Sequence, residues 1–527
     1  MANQAASDRI IQTKHLLLLL AWASLLHFPF IYRYGASEGD SYVLVNGIID
    51  AVNRGDFMRN QLLVFDFYSF GYYWLIFKLQ PLLALTSAQI FPLVNHLAFL
   101  CSVLVTIPMY LFLKEMLSAR IAFYTLIAYH LAPSVFDVSG YGHPASAACL
   151  VMWVAIYLFY RSLKHLEQKK TLAYLDLISA SVFCVLAMAL RTDVFFLLWP
   201  FLLGTLYYKN FWQRRHLFHF AIFSVACFVL FSLLQYAAIG VTWNDFSPIH
   251  FFTELNKFHV TGNWLQRVAR PLITLALAVG PLMALMALIS CFYLYRRQRR
   301  VFIFLAAWVI PIVLFWLPYP TPARHSLYVF PGIVTAVICL LDGIGKRYFP
   351  WLVAIFMALN YFSPLLFYRA IISSHEQKGL PAGQKQVSFN APLLPAMENH
   401  YYMQKEIDGY QRQAQILAAI HDKSVIYIDN FEQLAVHALI TSKPGYYWSG
   451  RIYFDARDGF IYNQISTPQN QYLLVTAPTG SRPQDALKKF TPQEEYAPYY
   501  IAVFPDTLRK YPQLKIPQGY RRLDLAG

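Results

Sequence analysis

Long apolar runs separated by short basic clusters constrain this sequence more than any other feature. The first run covers about residues 14–34, and further runs follow as far as about residue 368. A membrane-spanning helix needs roughly 20 predominantly apolar residues, and several of these runs approach that length. Hydrophobic residues make up 57% of the 527 and charged residues 13%, whereas soluble domains carry about 25% charge. The figures exclude a disordered chain, a coiled coil, a collagen-like fibre and an ordinary cytosolic enzyme, and they favour a polytopic α-helical membrane protein.

The basic clusters predict how the helices are oriented. The formal net charge is +15, but the basic residues stand in short groups between apolar runs, which argues against nucleic acid as a partner. The positive-inside rule places such groups in the cytoplasm. The groups are Lys114 and Arg120; Arg161, Lys164, Lys169 and Lys170; Lys209, Arg214 and Arg215; Arg296, Arg297, Arg299 and Arg300; and Lys346 and Arg347.

Segment 67–86 decides whether this rule holds along the whole chain. It is apolar but contains Lys78 and Pro81. If it spans the membrane, every later basic group lies outside, whereas if it lies in the interface plane, every later group lies in the cytoplasm. We therefore interpret it as a re-entrant or interfacial helix. About eleven spans result, at 14–34, 89–113, 120–134, 144–160, 172–190, 194–208, 217–240, 267–295, 301–318, 328–345 and 349–368.

The outer face of this topology carries five elements. They are 35–88, which begins with acidic residues, Ser134 to His143, Arg191 to Asp193, the long loop 241–266 and Tyr319 to Leu327. The composition changes near residue 372, and the chain continues outside the membrane to its last residue. We predict a transmembrane domain over 1–372, a linker rich in Ser, Gln, Pro and Gly over 373–402, and an extracytoplasmic domain over 403–527.

The last region has the pattern of a small α/β domain. Helical spacing at 403–421 and a helix candidate at 431–440 alternate with runs typical of buried strands. The strand candidates are Val425–Ile428, Tyr472–Val475 and Tyr500–Val503. Alternation of helices with buried strands predicts an α/β fold.

The strongest chemical feature is the acidic motif Glu38-Gly39-Asp40-Ser41-Tyr42, directly after the first predicted helix. Two carboxylates two residues apart beside a membrane surface can act as a general base or hold a divalent cation. Polyprenyl phosphates present their phosphates at that depth. The alternative is a solvated acidic loop without a catalytic role.

Several short motifs, in this order and on these predicted sides, resemble the GT-C superfamily of membrane glycosyltransferases, which includes protein O-mannosyltransferases and lipid A aminoarabinose transferases. In that superfamily an acidic motif follows the first helix, trailed by a tyrosine and a Gly-Asp-aromatic ending. The motifs here are Glu38 to Tyr42, Ile48-Ile49-Asp50, Arg54-Gly55-Asp56-Phe57, Phe70-Gly71-Tyr72-Tyr73-Trp74-Leu75, Leu190-Arg191-Thr192-Asp193 and Arg324-His325-Ser326-Leu327-Tyr328. Two prolines usual before the Tyr-Tyr pair are missing, and His325 stands where the family has a tyrosine. The resemblance covers about residues 1–345.

The resemblance implies a reaction and a set of site residues. A polyprenyl-phosphate sugar would dock at the outer face, and Asp40 would deprotonate the acceptor hydroxyl or polarise it through a metal. The sugar would be transferred with inversion as polyprenyl phosphate leaves. Members differ in metal use, so a divalent cation such as Mg²⁺ or Mn²⁺, held by Asp40 and Asp137, stays open. The implied catalytic residues are Asp40, Glu38 and Asp137; the phosphate-binding residues are Arg324, Arg191, Lys78 and His325; and the acid–base or acceptor contacts are His143 and Tyr42.

Some of these residues have plainer alternatives. Arg suits a leaving phosphate because its planar fork makes paired hydrogen bonds, yet Arg191 can instead pair with Asp193 at a helix end. Asp137 can be a helix-end carboxylate, and His143 and His325 can be interface histidines.

Two other functions compete with a transferase acting on a glycan, lipid or protein acceptor. A polymerase or ligase of polyprenyl-linked glycan more often carries a large outer loop within its helices. A lipid-linked-sugar flippase or transporter would place charges at mid-membrane depth in interrupted helices. Here the charges gather at helix ends and in outer loops, which favours the transferase. The short N-terminus and the lack of an Asn-x-Ser/Thr sequon favour a bacterial inner membrane with the C-terminal domain in the periplasm.

Overall fold

The computed structural model describes residues 2–33, 70–132, 142–240, 279–316 and 327–360, six strands between residues 425 and 524, and a few isolated positions. The chain divides into two compact units. The first contains Met1–Ile31, Asp66–Tyr72 and Asn95–Asn399, and the second contains Tyr32–Phe65, Tyr73–Val94 and His400–Gly527.

Helices account for nearly all of the described residues before 361. They are α1 (Ala2–His27), α2 (Gly71–Leu82), α3 (Ser87–Leu104), α4 (Thr106–Met116), α5 (Ala119–His130), α6 (Pro144–Glu167), α7 (Leu172–Leu190), α8 (Val194–Tyr208), α9 (Arg214–Ile239), α10 (Pro281–Arg297), α11 (Arg299–Trp316), α12 (Phe330–Ile344) and α13 (Phe349–Asn360). A 3₁₀ turn at Phe28–Phe30 follows α1.

Local sequence explains several helix ends. The Ser118 hydroxyl caps α5 by accepting a hydrogen bond from the Ile121 N–H at 3.2 Å, and Pro144 occupies the first turn of α6, where its missing N–H is not needed. Gly240 ends α9 in the left-handed region, with φ at 66°, a conformation that glycine adopts without strain.

The apolar helices coincide with predicted spans. Five described helical stretches are long and apolar enough to cross a membrane, at Ile10–Phe30, Gln89–Met116, Pro144–Glu167, Leu172–Leu190 and Arg214–Ala238. Shorter apolar helices lie at Leu197–Tyr208, Phe330–Ile344 and Phe349–Asn360. The chain is therefore a helical protein with several apolar helices, and the count of eleven spans stays a prediction.

Helix α2 lies in the segment predicted to be interfacial. It has 12 residues, which at the α-helical rise makes it about 18 Å long. The hydrocarbon core of a bilayer is about 30 Å thick. A helix of this length is shorter than that core is thick, as are α5 and α13, which lie in predicted spans. The interfacial interpretation of 67–86 therefore stays a prediction.

Aromatic packing holds the first unit together. Helix α6 packs against α7, α8 against α11, and α5 against α4 and α12. The Trp153 ring is fully buried and has its centroid 5.7 Å from that of Phe112, 5.8 Å from Phe201 and 5.0 Å from Trp308. The Trp308 indole N–H also donates to the Tyr328 carbonyl at 2.8 Å. In lipid, where water does not drive helices together, such packing and hydrogen bonds supply the association energy.

Charged residues from helices far apart in sequence lie together at one end of the first unit. Lys164 pairs with Glu115 at 2.8 Å, and the Lys209 Nζ donates to the Glu115 carbonyl at 2.6 Å. Further ion pairs at this end join Arg161 to Asp176, Arg215 to Glu167 and Arg120 to Asp342. The groups predicted to be cytoplasmic at 114–120, 161–170, 209–215 and 346–347 therefore lie at the same end of the bundle.

The second unit contains a six-stranded sheet in the order β2-β3-β4-β1-β5-β6. The strands are β1 (Val425–Ile428), β2 (Tyr447–Ile452), β3 (Ile461–Ser466), β4 (Gln471–Thr476), β5 (Tyr499–Val503) and β6 (Tyr520–Asp524). β1 runs parallel to β4 and β5, and β5 runs parallel to β6, whereas β2, β3 and β4 are antiparallel.

The strands of this sheet can be compared with those of the predicted α/β domain. The three predicted strands coincide with β1, β4 and β5. Parallel neighbours need crossover connections of about a dozen residues or more, usually helical. The helices predicted at 403–421 and 431–440 lie outside the described residues, so the α/β assignment and the domain boundaries stay predictions.

Candidate active site

The described residues include three of the predicted site residues. Arg191, His143 and Lys78 are described, whereas Glu38, Asp40, Tyr42, Asp137, Arg324 and His325 lie outside the described residues. The site can therefore be built from the helix ends that lead into the predicted outer loops.

Arg191 and Asp193 form a bidentate ion pair in the turn between α7 and α8. The backbone leaves the helix at Arg191, where φ is −153° and ψ is 119°, and α8 begins after Asp193. The Arg191 Nε donates to Asp193 Oδ1 at 2.9 Å, and its Nη2 donates to Oδ2 at 2.6 Å. The Asp193 side chain is 1% exposed and that of Arg191 is 11% exposed. The pairing that the sequence left as an alternative is therefore present, and a role for Arg191 in phosphate binding stays a prediction.

Tyr328 is a buried polar residue in the neighbourhood of this ion pair. Its side chain is fully buried and lies within electrostatic range of both Asp193 and Arg191. Its hydroxyl has no hydrogen-bond partner among the described residues. Buried polar groups are paired in most proteins, so the unpaired hydroxyl is an unusual feature of this site. The sequence motif ending at Tyr328 marked this residue only as a neighbour of Arg324 and His325.

His143 caps helix α6 with its ring. Its Nδ1 accepts a hydrogen bond from the Ala145 N–H at 3.1 Å, and the residue is 1% exposed. In a neutral imidazole whose Nδ1 accepts, the proton resides on Nε2. While it caps the helix, His143 can thus act as a hydrogen-bond donor through Nε2, and not as a base through Nδ1.

Two glycines bring separate helix ends into direct backbone contact. A Cβ at Gly140 would lie 1.6 Å from the Phe30 carbonyl oxygen, and one at Gly71 would lie 2.6 Å from the Ala189 carbonyl oxygen. The turn around Gly140 thus contacts the 3₁₀ turn that follows α1. The start of α2 contacts the end of α7, next to Arg191. Only glycine permits backbones to approach so closely.

Lys78 is exposed on α2. Its Nζ lies 5.7 Å from the centroid of the neighbouring Phe77 ring, within the range of a cation–π contact. Among the described residues, no group of three or more His, Cys, Asp or Glu side chains could hold a metal ion. The two carboxylates predicted to bind a cation, Asp40 and Asp137, are not among those residues.

Comparison with known proteins gives structural relatives alone: no protein-family model and no curated protein matches the sequence. The structure of ArnT from Cupriavidus metallidurans bound to undecaprenyl phosphate is similar with a TM-score of 0.53 and 15% identity, over 81% of this chain and 85% of that chain. The oligosaccharyltransferase of Archaeoglobus fulgidus in the apo form is similar with a TM-score of 0.52 and 12% identity, over 82% of this chain and 63% of that chain. The same oligosaccharyltransferase in complex with Zn and sulfate gives a TM-score of 0.51 and 11% identity, over 81% of this chain and 61% of that chain. These similarities establish a shared fold.

Proposed function

From the premise that the chain has the GT-C fold, as its motifs predicted, we propose that it is a membrane glycosyltransferase that moves a sugar from a polyprenyl-phosphate donor to an acceptor. The observation that carries this proposal is the fold match to ArnT, which extends over 85% of that chain. The match covers 81% of this chain, and it does not depend on any single short motif.

The donor class follows from what the structural relative binds. The matched ArnT structure holds undecaprenyl phosphate, and a similar lipid phosphate would need cationic groups near the membrane surface of this chain. Arg191, Arg324, Lys78 and His325 are the proposed set. Its described members are Arg191, buried in its pair with Asp193, and the exposed Lys78. Cationic groups stabilise the negative charge that develops on the leaving phosphate.

The chemistry proposed for Asp40 is general base catalysis with inversion at the sugar. Asp40 takes the proton of the acceptor hydroxyl, whose oxygen attacks the anomeric carbon. The bond between that carbon and the phosphate oxygen breaks, and polyprenyl phosphate leaves with the bonding electrons. Glu38 and Asp137 support Asp40, and His143 and Tyr42 are candidate acceptor contacts. A divalent cation on Asp40 and Asp137 is an alternative, since carboxylates suit Mg²⁺ or Mn²⁺ and the archaeal relative is known in complex with Zn and sulfate.

We place the reaction at the outer face of a bacterial inner membrane, with the domain over 403–527 in the periplasm. The gathering of basic groups at one end of the first unit supports this orientation, because such groups favour the cytoplasmic side. The ion pair of Arg191 then belongs to the opposite, outer end, since α7 runs from Asp176 near the charged end to Leu190.

Lipid-sugar turnover by the full-length protein tests the proposal. Purified protein in lipid nanodiscs is offered a panel of polyprenyl-phosphate sugars with crude envelope acceptors, and released polyprenyl phosphate is measured by mass spectrometry. We expect release from at least one donor, and a fall of about 10²- to 10⁴-fold in Asp40→Asn if the carboxylate is the base.

Asp342→Asn is the matched control, because it removes a described carboxylate at the charged end of the bundle. It is expected to turn over donor as the wild type does. Reactions with and without chelator separate a base from a metal ligand. Donor binding without release from any donor would contradict the transferase and favour transport or polymerisation.

A further inference from the structure

Three buried side chains on three helices form a hydrogen-bonded chain that the reaction above does not use. The Nε2 of His27 lies 2.9 Å from the Nδ1 of His130, and the Nε2 of His130 lies 2.9 Å from the Thr106 hydroxyl oxygen. All three residues are fully buried. These two hydrogen bonds therefore connect α1, α5 and α4 in the interior of the first unit.

The two histidines stand at the bases of the two segments that carry the predicted carboxylates. His27 is the last residue of α1 and His130 is the last residue of α5. The segment with Asp40 follows α1 in the sequence, and the segment with Asp137 follows α5.

A second contact joins the same two chain segments just beyond the histidines. Gly140, in the turn before α6, lies against the Phe30 carbonyl oxygen so closely that a Cβ there would be 1.6 Å away. The Ser146 hydroxyl donates to the Val138 carbonyl at 3.4 Å and accepts from the Ser102 hydroxyl at 3.0 Å, which fixes this turn to α6 and α3. The end of α1 and the turn after α5 are thus held together from both sides.

Buried polar pairs specify register between helices better than apolar pairs do. If α1 slid or rotated against α5, the hydrogen bond between the two histidines would break in an environment without water, whereas an apolar contact would tolerate the change. The Nδ1 of His27 is buried with no hydrogen-bond partner among the described residues. An apolar pair would join the helices without leaving a nitrogen unpaired. Helix association alone therefore does not explain why histidines occupy these two positions.

We propose that His27 and His130, supported by Thr106, are positioning residues that set the register of α1 against α5. They thereby hold the turn at Phe30, which precedes Asp40 in the sequence, against the turn at Gly140, which follows Asp137. The effect on turnover rests on the proposed glycosyltransferase function. The effect on the contact between the turns at Phe30 and Gly140 does not, and it can be measured without substrate.

Turnover by histidine variants tests the catalytic consequence. We expect His27→Leu to lower kcat by roughly 10²-fold with little change in the KM for donor, since displacement of reacting groups by about 1 Å has this effect. His27→Gln is the conservative variant, because the glutamine amide reaches the place of Nε2 and keeps the bond to His130. It is expected to restore most of kcat with an unchanged pH profile. If His27→Gln loses as much as His27→Leu, the positioning role is wrong and proton transfer by the ring replaces it.

Trp22→Phe is the matched control for packing between the same helices. The Trp22 indole N–H donates to the Ile127 carbonyl at 3.3 Å, so this variant removes one α1–α5 hydrogen bond away from the bases of the two segments. A kcat loss in Trp22→Phe equal to that in His27→Leu would overturn the proposal, since any loosening of the two helices would then suffice.

Hydrogen exchange of the apo protein separates this proposal from the proposed function. We expect amide exchange to rise in both 28–33 and 138–143 in His27→Leu, and to stay at the wild-type level in His27→Gln and Trp22→Phe. Unchanged exchange in both segments overturns the proposal even when turnover is normal. A rise in both segments supports it even when the wild type turns over no donor, and that second result would count against the glycosyltransferase alone.

Discussion

The energetic weight of the Arg191–Asp193 ion pair comes from its burial. The Asp193 side chain is 1% exposed, whereas Arg120 and Asp342, which pair at 3.7 Å, are 42% and 25% exposed. Removing one member of a buried pair leaves the other as an uncompensated charge, whereas solvent compensates the partner of an exposed pair. We therefore expect replacement of aspartate by asparagine to lower the stability of the protein much more at Asp193 than at Asp342.

We expect Asp193→Asn to lower the free energy of unfolding by roughly 3 kcal/mol, the usual result of breaking a buried pair. Asp342→Asn should lower it by no more than about 1 kcal/mol. Thermal unfolding of both variants in the same detergent, followed by tryptophan fluorescence, measures the difference. Equal midpoints would contradict the burial argument.

At the scale of elements, glycine contacts decide how closely helix ends approach. Gly140 touches the backbone at Phe30, Gly71 touches the backbone at Ala189, and a Cβ at Gly204 would lie 2.6 Å from the Ala307 Cβ. The first two contacts are made to a carbonyl, which cannot move aside as a side-chain tip can. Small residues at helix contacts are typical of proteins in lipid, where packing replaces the hydrophobic effect.

Gly140→Ala should therefore displace the turn after α5 from the end of α1. We expect a loss of about 1–3 kcal/mol in stability, as for other overpacked contacts, together with a loss of donor turnover. Gly240→Asn is the control, because nothing lies within 4 Å of a Cβ there and asparagine tolerates the left-handed backbone. Thermal unfolding and lipid-sugar turnover measure both variants. A Gly140→Ala protein indistinguishable from the control would refute the close contact.

At the scale of the whole molecule, the charges predict an orientation in the membrane. Helix α9 carries Arg214 and Arg215 at its start and ends at Gly240 without a charged residue in its last turn. The positive-inside rule then puts Gln213 in the cytoplasm and Gly240 outside. One helix thus offers two test positions, both exposed.

Cysteine labelling measures this orientation. In a background where the six native cysteines are replaced, an impermeant maleimide added to sealed right-side-out vesicles should label Gly240→Cys and leave Gln213→Cys unlabelled. Permeabilised vesicles should label both, which controls for reactivity. The reverse pattern in sealed vesicles would invert the topology and remove the active site from the outer face.

The class of fold and much of the helix pattern could be predicted from the amino-acid sequence. Spans predicted at 144–160, 172–190 and 194–208 coincide with α6, α7 and α8, because a segment in lipid must satisfy its own backbone and present apolar side chains. Both requirements are local and can be read from a window of residues. The Arg191–Asp193 pair could be predicted in the same way, since its members stand two residues apart.

The contacts between helix ends could not be predicted from the sequence and became visible in the folded structure. His27 and His130 form a hydrogen bond, Gly140 rests on Phe30, and Tyr328 lies in electrostatic range of Asp193. Each of these contacts joins residues far apart in the chain, and in the sequence each partner reads as an ordinary helix-end residue. Such pairings depend on the depth and rotation of whole helices, which the interdigitation of many side chains sets at once and no local pattern encodes.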